Sequence, residues 1–96
     1  MKPPDGYRDW GPHDWKYGAT LYQKKLDEDL YLDLWRYPEV PARKVPEQWE
    51  AEACIQESAV GTVNLKFLDP EGNIPEIEEM VRRVARLLRG DDAPSV

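Results

Sequence analysis

The sequence predicts an α+β fold: a four-stranded antiparallel sheet built from two hairpins, then one C-terminal helix packed on one face, preceded by an irregular aromatic arm. Three observations lead there. Leu30, Leu32 and Leu34 alternate with Tyr31, Asp33 and Trp35, the period of two expected of a half-buried strand. The stretches 49–56 and 62–68 repeat that alternation. From Ile74 onward the apolar residues recur instead at spacings of three and four, the period of an amphipathic helix.

Residues 1–18 read as the arm. They mix Pro, Gly and Asp with Tyr7, Trp10, Trp15 and Tyr17, and show neither a helix nor a strand period. Flexible linkers lack Trp and Tyr, so this stretch is expected to be covered, by its own domain or by a partner. Residues 19–90 form the single domain, and Asp91–Val96 is expected to fray.

The first hairpin joins 19–26 to 30–37 through the polar turn Asp27-Glu28-Asp29. Its register is open. A three-residue loop places Tyr22 and Leu26 on the leucine face, whereas a two-residue loop places Leu21 there. A helix over 22–34 competes, because Tyr22, Leu26, Leu30 and Leu34 are spaced by four. Pro38, Pro41 and Pro46 mark a loop that neither helix nor sheet absorbs easily. The second hairpin sets Trp49, Ala51, Ala53 and Ile55 on one face and Glu50, Glu52, Cys54 and Gln56 on the other. Glu57–Gly61 turns the chain, and Val63, Leu65 and Phe67 then share one face.

Asp69-Pro70-Glu71-Gly72 is a turn signature with Pro at its second position. Asn73 followed by Glu76 matches a capping box, and Gly90 is placed to end the helix. The helix stripe comprises Ile74, Ile77, Met80, Val81, Val84, Leu87 and Leu88, and Glu78–Arg82 and Glu79–Arg83 are i,i+4 pairs.

Bulk properties narrow the function. Ninety-six residues make one domain with a modest core and little room for a deep substrate cavity. The net charge of −6 opposes direct binding to nucleic acid or to an anionic membrane, which runs on Lys and Arg. No apolar run reaches the roughly 20 residues a membrane helix needs, and no signal-peptide pattern opens the chain. The single cysteine, Cys54, excludes an internal disulfide framework, and a cytoplasmic location is expected.

Eight of the ten aromatic residues fall between Tyr7 and Tyr37. With the helix on one sheet face, the other is expected to carry Tyr31, Asp33, Trp35, Tyr37, Glu50 and Glu52. Trp10, Trp15 and Tyr17 would either cover Trp35 and Tyr37 or leave them to a partner. The reading is therefore a small acidic protein-binding or regulatory module. Its partner-binding residues are Trp10, Trp15, Tyr17, Tyr31, Trp35 and Tyr37, with Asp33, Glu50 and Glu52 as possible acidic contacts. The partner is another protein, and a homodimer is possible. An acidic inhibitor that mimics nucleic acid is the alternative; Asp27, Glu28, Asp29 and Glu57 would extend its acidic surface. An enzyme with a site around His13 comes third. No catalytic residue, cofactor or metal is assigned: there is no phosphate loop, no CxxC pair and only one histidine.

Overall fold

The computed structural model describes residues 2–58 and 61–90, with the side chains of Glu57 and Ser58 outside that description. Residues 59–60, within the turn expected over Glu57–Gly61, and the tail from Asp91, where fraying was expected, also lie outside the described residues.

Among the described residues five strands form one antiparallel meander: β1 (Arg8–His13), β2 (Ala19–Asp27), β3 (Leu30–Tyr37), β4 (Gln48–Ser58) and β5 (Gly61–Leu68), in that spatial order. One helix, α1 (Ile74–Arg89), follows. The α+β class and the C-terminal helix match expectation. The strand count does not: part of the arm is a strand, paired from Arg8↔Gln23 to His13↔Ala19. Alternation fails there for a local reason. The register shifts between Asp9 and Gly11, leaving Trp10 as the extra residue of a bulge. Gly11 sits at φ 78°, and its N–H donates to the Asp9 carboxylate at 2.7 Å. With Pro12 beside it, this strand carries no hydrophobic period to detect.

The first hairpin resolves its register by combining the two options. Only Glu28 and Asp29 lie between the paired Asp27 and Leu30, but a bulge between Lys25 and Asp27 absorbs Leu26. Tyr22 therefore pairs with Leu34, and Leu21 with Trp35. Tyr22 goes to the helix side, where its ring stacks on Trp49 at 5.5 Å.

The core lies between α1 and one face of the sheet. Leu30, Leu32, Leu34, Trp49, Ala51, Ala53 and Ile55 meet Ile74, Ile77, Val81 and Ala85, all buried. Apolar burial at roughly 25 cal/mol per Å² is what holds this layer. The helix begins and ends where predicted, but its details differ. Asn73 makes no side-chain cap; the backbone N–H of Asn73 instead donates to the Pro70 carbonyl at 2.9 Å. The turn is thus one residue later than the Asp69–Gly72 reading, with Gly72 at φ 80°. Gly90 closes the helix at φ 79°, as expected. Met80 and Leu87, assigned to the buried stripe, are 51% and 60% exposed.

Glu78 also departs from its expected role. It is buried, and it accepts a hydrogen bond from the Tyr7 hydroxyl at 2.6 Å and from Lys24 Nζ at 3.1 Å. Arg82 reaches Glu79 at 3.7 Å, an i,i+3 pair. Glu78 thus ties the N-terminal segment and β2 to the helix, because a carboxylate leaving water must recover its hydrogen bonds. Burial, and then the bond to Glu78, push the Tyr7 hydroxyl well above its ordinary pKa. Tyr7→Phe should cost about 1.5–3 kcal/mol, the range for a hydrogen bond to a charged group. Urea unfolding of the two proteins at pH 7 measures it.

Candidate interaction face

The face away from α1 is organised around Trp35, which is only 3% exposed although α1 packs on the other face. What covers it is the turn after β1. A 3-10 turn, Asp14–Lys16, ends at Tyr17 in the left-handed region (φ 56°), followed by Gly18 at φ 77°. Backbone bonds from Tyr17 N–H to the Asp14 carbonyl (3.1 Å) and from Gly18 N–H to the His13 carbonyl (3.0 Å) close it. This reversal lays His13 and Trp15 against Trp35, edge to face, at 5.4 and 5.3 Å between centroids. His13 and Trp15 also meet each other at 5.9 Å. Such pairs contribute about 0.5–1.5 kcal/mol each beyond their burial.

Lys16 completes the cover. Its ammonium stands 5.4 Å from the Trp35 ring and 6.0 Å from Trp15, and pairs with Glu52 at 3.5 Å. The arm therefore covers the centre of this face in the same molecule. It does so with His13, Trp15 and Lys16, and not with the full set of Trp10, Trp15 and Tyr17. The signal for Lys16 was its place between Trp15 and Tyr17, which sequence reasoning passed over.

The remaining aromatics divide. Trp15 keeps 71% of its surface exposed while one edge rests on Trp35, and Tyr17 is 89% exposed at the tip of the turn. Trp10 stands apart on the bulge, 47% exposed, with the Arg8 guanidinium 3.8 Å from its ring centroid. Tyr31 lies at the opposite end of the face, on a cleft of about 660 Å³ that it shares with Asp33, Cys54 and Gln56. The β3–β4 ladder runs from Tyr37↔Gln48 to Asp33↔Glu52, and the cleft lies at that end of it. Tyr37 is half-buried, with its hydroxyl bonded to Glu50.

Each of the three acidic candidates has a partner inside the chain. Lys66 Nζ lies 3.0 Å from Glu50, Lys16 answers Glu52, and the Gln23 amide donates to Asp33 at 2.8 Å. Their electrostatics differ in sign. Burial raises the Asp33 carboxyl above its ordinary value, against the Gln23 hydrogen bond that lowers it. Burial also works to raise Glu50, but hydrogen bonds from Tyr37 and Lys66, and the Lys66 charge, outweigh it and hold Glu50 below its ordinary value. The same contact raises Lys66, through the hydrogen bond first and the charge second. Burial and the bond to Glu50 push the Tyr37 hydroxyl up to about 12.

His13 is part of the ring packing. Its Nδ1 lies 3.0 Å from the Gly11 carbonyl, an acceptor, so Nδ1 carries the proton in that bond. Cys54 is an exposed, free thiol. Among the described residues no group of three His, Cys, Asp or Glu side chains is arranged to hold a metal ion, and no helix is long and apolar enough to cross a membrane.

The opposite shifts of Asp33 and Glu50 predict opposite pH behaviour. A carboxyl raised in the folded state binds its proton more tightly there, so ionised Asp33 weakens the fold at neutral pH. Asp33→Asn should raise the urea midpoint at pH 7, and the gain should shrink as pH falls through the raised Asp33 pKa. A lowered carboxyl does the reverse. Glu50→Gln should lower the midpoint at pH 7, with the loss closing as pH falls from the ordinary carboxylate value, about 4.3, through the lowered one. Unfolding curves of both variants and the parent at pH 7 and at acid pH test the pair of signs.

Searches against protein-family models, curated proteins and solved structures find no match to this chain.

Proposed function

We propose that this chain is a small acidic protein-binding or regulatory module of the cytoplasm, and that it meets its partner with the aromatic turn between β1 and β2. One observation carries the reading. Trp15 rests against buried Trp35 and Tyr17 follows it in a closed, hydrogen-bonded turn, yet most of their surface faces solvent. A large aromatic fixed in place and left exposed loses little conformational freedom on binding, which is the property of an interface anchor. Lys16 and the adjacent Glu52 supply polar groups at the rim of that patch. Trp10, on its bulge with Arg8 over the ring, gives a second anchor on the same arm. Trp35 is the support beneath the patch, and Tyr37 holds Glu50.

The acidic-inhibitor alternative draws less support from this face. A carboxylate that stands in for a phosphate must be offered to the partner's cations, whereas Glu50 and Glu52 already answer Lys66 and Lys16. An enzymatic role for His13 asks for a polar neighbour and a substrate site, while its ring is packed edge-on against Trp15 and Trp35.

The test compares three proteins in pull-downs from native lysate: the parent, Trp15→Ala/Tyr17→Ala, and Trp35→Ala. The double variant should keep the parent's fold by circular dichroism and lose, by at least about tenfold, whatever chains the parent retains, as anchor residues worth about 2 kcal/mol or more would require. Trp35→Ala should unfold more easily, by about 3–5 kcal/mol, because it empties a buried site. Retention should change little between low and high salt; a steep loss with salt favours the acidic-inhibitor reading instead. Equal retention by the parent and the double variant overturns the proposal.

A further inference from the structure

The two edges of the sheet are built differently. β1 is short, bulged at Trp10 and carries Pro12, three devices that discourage another strand from pairing with it. β5 has none of them. It runs for eight residues, Gly61–Leu68, with no proline, and it is the last strand of the sheet order. Its register shift lies at the turn end, between Ile55 and Ser58, and the ladder from Val63 to Leu68 is regular. Lys66 is its only charged residue, and that charge is engaged by Glu50.

The helix leaves this edge half covered. α1 lies over β4, β3 and β2. One flank of the helix is fixed to the β2 side: Glu78 bonds Lys24, and Arg89 reaches the Glu28 carbonyl at 3.5 Å. At 100° per residue, Met80, Val84 and Leu87 fall on the other flank, the one toward β5 in the sheet order. Of these three, Met80 and Leu87 are exposed. On the sheet, Val63, Leu65 and Phe67 of β5, like Val84 of the helix, are only partly buried against the core. Among the described residues the outer edge of β5 is thus unpaired, and apolar side chains on β5 and on the near flank of α1 remain partly or largely exposed.

We propose that a second copy of this chain occupies this edge, pairing β5 with β5 antiparallel about a two-fold axis into one ten-stranded sheet. The sequence of the strand is self-complementary in this arrangement. An axis at Leu65 sets Val63 against Phe67, Asn64 against Lys66 and Thr62 against Leu68, so apolar residues meet apolar residues on the helix side and no like charges oppose each other. The same rotation brings Met80, Val84 and Leu87 of both copies over the join, an isologous contact in which every residue is used twice. The net charge of −6 opposes self-association in general, yet this strip contributes only the already paired Lys66. The interface lies on the edge opposite the Trp15–Tyr17 turn, so it is independent of the partner-binding reading above.

Sedimentation equilibrium across a wide concentration range is the experiment. The full chain should approach twice its 11.2 kDa mass as concentration rises. Met80→Glu/Leu87→Glu, which alters two exposed side chains, should keep its circular dichroism and melting temperature and weaken the dimer at least tenfold. Trp15→Ala/Tyr17→Ala should dimerise as the parent does. Amide hydrogen exchange supplies a readout specific to strand pairing: amides of 62–68 should gain protection as concentration rises. The proposal is overturned by a chain that stays monomeric throughout, by a dimer that survives the helix-flank variant or dissolves in the Trp15/Tyr17 variant, or by β5 amides whose exchange does not depend on concentration.

Discussion

The alternation along β3 is the constraint on which the rest of the molecule depends. Leu30, Leu32 and Leu34 must leave water on one face, and a strand then has no choice but to send Trp35 to the other. One helix can serve only one of those faces. The chain solves the second by returning its N-terminal turn over Trp35, with His13 and Trp15 edge-on and Lys16 above the rings. β3 is thereby buried on both sides at its centre. The exposed remainder of Trp15 and Tyr17 is a by-product of that solution.

Charge is used in this molecule chiefly to join distant segments. Glu78 brings Tyr7 and Lys24 to the helix, Glu52 holds Lys16 on the aromatic cover, and Glu50 links Lys66 with Tyr37. The surface pairs contribute little each, about 0–1 kcal/mol. The Glu78 site differs because its carboxylate is buried and shared between two donors, so loss of either leaves charge imperfectly solvated. An acidic chain can therefore present a central face on which most carboxylates are already answered. Net charge alone is a poor guide to what such a face would bind.

Much of the fold was legible in the residues. Period-two alternation located β3, β4 and β5, and the three–four spacing together with Gly90 fixed the ends of the helix. β1 was not legible, because a bulge and a Gly-Pro pair erase alternation while leaving backbone pairing intact. Among the candidate site residues, Trp15 and Trp35 were recognised and do meet. Tyr37, Glu50 and Glu52 were recognised as lying on this face, but the pairing of the two acids with Lys66 and Lys16 was not. Those partners sit on other strands and turns, and no sequence spacing relates them to the acids they meet.

The sequence by itself determined which residues of each element face together, because that follows from local backbone geometry. It determined the α+β class and the placement of the aromatic residues at the start of the chain. Only the tertiary structure decided how the first hairpin is registered, since the bulge at Leu26 offsets a two-residue loop. Only it turned Glu78 inward and left Met80 and Leu87 outside, because the position of the helix over β2, β3 and β4 selects which part of a broad apolar stripe is buried. And only it decided that Trp35 is sealed while Trp15 and Tyr17 remain open, a choice set by where one left-handed turn returns the chain across the sheet.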